Sequence, residues 1–157
     1  MTTPSLESPV TEFAGQLLFR LWRASHVRAA EVLGTVGLTP ALFALLNVVG
    51  AREGAIQQEL GAVMGIDRTT MVSLIDQLES AGLARRRPSA KDRRAREVAI
   101  TPNGRRLLGR ARRLISQAED EVLAGLTAEE RGDLVKLLRR ALESSPPQPM
   151  WSSEEGD

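Results

Sequence analysis

The sequence predicts a mainly α-helical fold with one small β-hairpin, and three features of the chain carry that expectation. Apolar residues recur three and four apart through successive segments, the spacing of amphipathic helices. Late in the chain the period falls to two over a short stretch, as it does in paired strands. Glycines, prolines and hydroxyl or carboxylate caps fall at the joints between these segments.

The first helix covers residues 10–33, with Phe13, Leu17, Leu18, Leu21, Trp22, Ala29, Val32 and Leu33 at its apolar positions, and Gly34 and Gly37 end it. Thr39 caps the second helix with Pro40 at its first position, and Gly54 closes it. Phe43, Leu45, Leu46, Val48 and Val49 make that helix apolar nearly all round, which assigns it to the core. Ile56, Leu60, Val63 and Met64 mark a short third helix stopped by Gly65. Asp67 caps the fourth, whose inner positions are Met71, Val72, Leu74, Ile75 and Leu78; Arg68, Thr69, Thr70 and Ser73 face outward, and Gly82 ends it. Residues 84–88 and 97–101 form two strands, Val98 and Ile100 alternating with Glu97 and Ala99, and the charged stretch between them is the hairpin loop. Thr101-Pro102 opens a long fifth helix, and a capping box from Thr127 to Glu130 opens the sixth. Residues 10–143 therefore read as a single domain, preceded by a flexible start over 1–9 and followed by a disordered tail over 144–157, where periodicity is lost amid proline, serine and acid.

Composition removes several function classes. The chain of 157 residues has no cysteine, which excludes disulfides, thiolate metal sites and a cysteine redox switch within it. One histidine, His26, and no tyrosine leave little for a metal site or for acid-base chemistry. Residues 32–51 carry no charge, yet Gly34, Gly37, Pro40 and Asn47 interrupt them, so they read as a turn between buried helices rather than a membrane span. The first eleven residues lack the basic and apolar regions of a secretory signal, and a cytoplasmic location is expected.

The formal net charge is only +1, but it is unevenly spread. Residues 84–113 hold twelve basic side chains against Asp92 and Glu97, a local excess of ten, so the rest of the chain carries −9. Eleven of those twelve are arginine, the side chain whose planar fork suits phosphate and guanine. A basic centre between acidic flanks is the pattern of a surface that meets a polyanion.

Two short helices around a glycine turn, the second presenting small polar and basic residues, form a helix-turn-helix whose second helix suits the major groove. The arginine-rich hairpin that follows it supplies a loop able to reach the backbone or the narrow minor groove. In this context Leu78-Glu79-Ser80-Ala81-Gly82-Leu83-Ala84-Arg85-Arg86, Asp92-Arg93-Arg94 and Val98-Ala99-Ile100-Thr101-Pro102-Asn103-Gly104 resemble the signature of the MarR family of transcriptional regulators. Gly37-Leu38-Thr39-Pro40 extends the match upstream, and the final helices extend it downstream, over about residues 10–143.

The resemblance implies a winged helix-turn-helix lobe over about 38–101, with dimerisation helices over about 10–34 and 102–143. It implies a homodimer, a repressor that binds a palindromic operator in double-stranded DNA, nucleoid-associated in a bacterium or archaeon. Arg68, Thr69, Thr70 and Ser73 fall on the groove-facing side of the recognition helix, Arg68 as the base reader. Asp92 and Arg94 match an Asp-x-Arg pair in which the carboxylate braces the guanidinium entering the minor groove. Lys91, Arg93 and Arg96 are phosphate contacts, and Arg85 to Arg87 serve in part to keep the strand soluble. Burying Leu107, Leu114, Ile115, Leu134, Leu137 and Leu138 against a partner chain would contribute about 1.5 to 3 kcal/mol each before entropy costs.

Relatives of this kind bind small aromatic or phenolic effectors. Trp22 and His26, one turn apart on the first helix with Phe19 a turn earlier, are the candidate pocket, with an arginine nearby to pair a carboxylate. Leu42 stands where relatives often carry glutamine, which makes the second helix more apolar. No cofactor is expected. An enzyme is disfavoured because Glu119, Asp120 and Glu121 point around a helix rather than together. The remaining rivals are a protein-interaction module on the same fold and a nonspecific nucleoid-binding protein. A single-strand binder is disfavoured by the absence of aromatics within the basic stretch.

Overall fold

The computed structural model describes residues 13–52, 54–89 and 95–145. Six helices and one hairpin follow in the order α1 (Ala14–Gly34), α2 (Pro40–Ala51), α3 (Gln57–Met64), α4 (Arg68–Ser80), β1 (Ala84–Pro88), β2 (Arg96–Ile100), α5 (Pro102–Val122) and α6 (Ala128–Glu143).

Each start has a local cause. Thr39 accepts a hydrogen bond from the Leu42 amide at 3.2 Å, and Pro40 presets the first turn of α2. Asp67 accepts from the Thr69 and Thr70 amides at 2.8 and 3.0 Å to open α4. Thr127 and Glu130 exchange side-chain and backbone hydrogen bonds at the start of α6. Gly65 and Gly82, both at φ 68°, take the left-handed turns that end α3 and follow α4.

The core gathers around α2. Leu45, Leu46 and Val49 are buried there against Leu33 of α1, Leu60 and Met64 of α3, Met71, Ile75 and Leu78 of α4, and Val98 of β2. Leu42 joins this core at 8% exposure, so the leucine that departs from the family habit is a packing residue. The antiparallel hairpin pairs Ala84 with Ile100 and Pro88 with Arg96. Its second strand is extended at one edge, where Ile56 bridges Glu97 and the Val98 amide donates to the Ala55 carbonyl at 3.0 Å.

Several expected boundaries shift. α2 ends at Ala51, with Arg52 as its cap, before Gly54. β2 runs from Arg96 to Ile100 because Thr101 is committed elsewhere: its hydroxyl accepts from the Gly104 amide at 3.0 Å and donates to the Gly82 and Leu83 carbonyls. α6 ends at Glu143, the limit expected for the domain, and residues beyond 145 lie outside the described ones, as do 1–12.

The terminal helices differ from expectation in which faces they hide. Leu107 and Ile115 are half-buried and pack against the chain's own core. Exposed apolar surface sits on α1, at Leu17, Leu18, Phe19 and Trp22, and on α6, at Val135, Leu142 and Leu137, the last among the residues expected to meet a partner. α6 buries no residue at all. Residues 14–20 of α1 are all exposed, and partial burial begins at Leu21. No helix among the described residues is long and apolar enough to cross a membrane.

Candidate nucleic-acid interface

α4 divides its sides cleanly. Met71, Leu74, Ile75 and Leu78 face the core, and Arg68, Thr69, Thr70 and Ser73 are all exposed, as their helical spacing requires. Thr70 also serves the cap: its hydroxyl donates to Asp67 at 2.5 Å. That bond, with the Thr70 and Thr69 amides, holds the Asp67 carboxyl below the usual aspartate range.

A groove of about 670 Å³ lies beside the start of α4, floored by Ile66 and Met71 and edged by Gln57, Gln58, Arg68 and Arg96. It brings the first residue of the predicted reading helix together with the first residue of β2. Gln57 and Gln58, at the opening of α3, were not singled out from the sequence. Their signal was present, since the first turn of the first helix in a helix-turn-helix abuts the second helix. A second groove, of about 730 Å³, runs along the other side of α4 past Thr69 and Ser73 to Gly37 and Leu38. Lys91, Asp92, Arg93 and Arg94 lie outside the described residues.

The arginine run in β1 is only partly a surface feature. Arg85 is exposed. Arg86 turns inward to Asp76 and Glu79 of α4, and Arg87 donates to Glu97 at 3.1 Å. Glu97, 6% exposed, also accepts from the Ser89 hydroxyl at 2.8 Å. Both arginines pair with carboxylates of the chain: Arg86 braces the strand against α4, whereas Arg87, with 47% of its side chain exposed, still lies on the strand's outer face. On α5, Arg105, Arg106, Arg110, Arg112 and Arg113 are exposed, and Arg112 reaches back to the Asn47 amide oxygen of α2 at 2.8 Å.

Trp22 and His26 stack with centroids 5.1 Å apart and line a cleft of about 190 Å³ between α1 and α5, with Ser25, Ala29, Ile115, Ala118 and Glu119. Phe19 stacks on the far side of Trp22, at 6.1 Å, outside the cleft. The charged side chain lining it is Glu119, where an arginine had been expected. α1 and α5 are tied above it by Arg28, which donates to Glu121 at 2.8 Å and holds the Glu121 carboxyl below its usual range. No group of residues that could hold a metal ion occurs among the described residues.

Comparison with known proteins adds three findings. The profile of the MarR family matches residues 36–95. A protein of Thauera aromatica described as a transcriptional regulatory protein for the hcr operon is 35% identical over 131 residues, 81% of this chain and 79% of its own length. Among solved structures, the repressor CouR bound to a 23-mer DNA duplex superimposes with a TM-score of 0.75 at 27% identity, covering 90% of this chain and 99% of its own. CouR from Rhodococcus jostii RHA1 bound to p-coumaroyl-CoA gives 0.74 at 25% identity, covering 90% and 100%.

Proposed function

The chain belongs to the MarR family of transcriptional regulators, and from that membership we propose that it is a homodimeric repressor that reads a palindromic operator in duplex DNA and is released by a small ligand. The observation that carries the reading is the groove lined by both Arg68, at the start of α4, and Arg96, the first residue of β2. A helix N-terminus with an arginine fork suits guanine in the major groove, while a second guanidinium at its edge suits the flanking phosphate. Arg68 is the base reader; Thr69 and Ser73 contact phosphates or thymine methyls, and Thr70 acts mainly as part of the cap. Asp92 and Arg94 remain the wing-tip pair, with Lys91 and Arg93 on phosphates. Nothing in this arrangement calls for turnover, and the protein is not an enzyme on this reading.

The exposed apolar surface of α1 and α6 supports a twofold dimer, in which each α6 covers the open half of the partner's α1. Residues 38–101 then act as the reading lobe, and 10–34 and 102–143 as the dimerisation helices.

Selection of bound sequences from a random duplex library at two salt concentrations tests the proposal. The expected outcome is a palindrome with half-sites about one helical turn apart, bound with a steep salt dependence. No enrichment at low salt points to a protein partner instead, and binding without sequence preference to a nonspecific nucleoid protein. Arg94→Ala should weaken operator binding more than Arg112→Ala, whose side chain is engaged by Asn47.

The Trp22–His26 cleft supports an effector with one aromatic ring, since its volume is that of a small ring rather than a drug-sized ligand. Glu119 and His26 favour a hydroxyl-bearing ring over a free carboxylate, because the acid would repel an anion and accept from a phenol. Release of the selected duplex by simple phenols, and not by the matching benzoates, is the expected pattern.

A further inference from the structure

We infer that Arg86 is a positioning residue: from the wing it sets how α4 lies against the hairpin, and so governs discrimination between base sequences without touching DNA. The inference rests on the duplex reading proposed above.

Arg86 stands opposite Val98 in the hairpin register, and Val98 is fully buried, so both side chains lie on the core side of the sheet. The Arg86 side chain is 22% exposed. Its guanidinium donates to Asp76 at 2.6 Å and to Glu79, and touches the Val72 carbonyl at 3.5 Å. The Arg86 backbone amide donates to the other Glu79 oxygen at 2.5 Å. The acceptors at 72, 76 and 79 form one stripe along two turns of α4. That stripe lies between the core face and the exposed face carrying Thr69 and Ser73, and it continues the line of Arg68. One residue therefore grips the flank of the reading helix through its side chain and its backbone together.

The geometry requires arginine. Nη1 donates to both Asp76 and Glu79 while Nη2 reaches the Val72 carbonyl, a planar spread of donors that the point charge of a lysine does not reproduce. The charges carry a second argument. Asp76 and Glu79 are acids beside a surface that must approach phosphate, and alone they would weaken binding to every duplex. Their presence is explained if they hold Arg86.

The test compares the full-length protein with Arg86→Lys, Arg86→Gln, Glu79→Gln and Asp76→Asn, using the selected duplex and a scrambled duplex across a salt series. The readout is the ratio of the two affinities. A merely destabilised protein loses active fraction equally for both duplexes, so the ratio isolates positioning from folding. Arg86→Lys should lower the ratio about ten-fold, the size of one mismatched base pair, with the salt slope unchanged. Glu79→Gln and the more exposed Asp76→Asn should lower it in the same direction although each removes a negative charge.

A ratio within two-fold of the parent in Arg86→Lys overturns the inference. So does a salt slope reduced by about one in Arg86→Gln, which removes the charge that Arg86→Lys keeps and would make Arg86 a phosphate contact, or a uniform rise in affinity for both duplexes in Glu79→Gln. If the parent selects no duplex at all, the duplex reading falls and this inference falls with it; if it does select one, only the inference is at stake.

Discussion

Gly104 of α5 lies directly beneath the Leu83 carbonyl, so close that a β-carbon at 104 would stand 2.1 Å from that oxygen and 2.9 Å from the Ile100 side chain. Leu83 is itself fixed, because its carbonyl accepts from the Thr101 amide at 3.0 Å and from the Thr101 hydroxyl. Backbone cannot retreat as a flexible side chain would. Gly104→Ala should therefore cost about 3 kcal/mol, the upper part of the range for overpacking. Urea denaturation checks it, and a loss below about 1 kcal/mol would show that α5 can slide away from the hairpin.

Asp67 supplies a pH-dependent cap. Its carboxyl titrates lower in the folded protein than in the unfolded chain, so the stability it contributes is present above the unfolded value of about 3.9 and is lost as pH falls through the lower folded value. Asp67→Asn keeps a good cap without the charge. The difference in Tm between parent and variant should be constant above pH 5 on this account and should shrink steadily below about pH 4. A difference that persists unchanged down to about pH 2 would remove the assignment.

Glu97 closes the base of the wing. Glu97→Ala strips the acceptor from Ser89 and Arg87 in a site where the acid is 8% exposed along its side chain, and should cost about 2 kcal/mol. Glu97→Gln retains a partial acceptor and should cost less. Equal losses in the two variants, measured by denaturant unfolding, would mean that packing rather than the hydrogen bonds holds the wing.

The surface assigned to the partner chain separates two leucines that the sequence grouped together. Leu137 is 53% exposed, whereas Leu107 packs against the core. Leu137→Asp should leave the monomer folded and weaken association at least 100-fold, since a buried leucine contributes about 1.5 to 3 kcal/mol and a twofold interface counts it twice. Leu107→Asp should instead lower Tm. Light scattering beside thermal melts distinguishes them.

What was legible in the sequence was mostly local. Thr39-Pro40, Thr101-Pro102 and the Thr127 to Glu130 box are signals within one helical turn, and each marks a helix start to within a residue. β1 emerged with its expected limits because Gly82 and the alternation around Val98 bracket it. Leu107 and Ile115 are assigned to a partner by the sequence because helices at the chain's end have little domain left to cover, and a single apolar face does not say whether it meets the chain's own core or a second chain. The inward role of Arg86 was hidden for a different reason. Its acceptors lie seven and ten residues back on another element, and a run of three arginines reads as surface until the strand is laid against the helix. The exposed side of α4 followed from helical period, but the engagement of Thr70 by Asp67 did not, because a threonine three residues after a cap has two partners available.

The Thr101 hydroxyl, bonded to the Gly82 and Leu83 carbonyls while it caps α5, makes that helix a lever with its fulcrum at the end of the reading helix. Ala118, in the wall of the Trp22 cleft, stands about 25 Å out along the arm at 1.5 Å per residue. A displacement there of about 3 Å would turn α5 through about 7° on that length, about the anchor that ties it to the turn after α4.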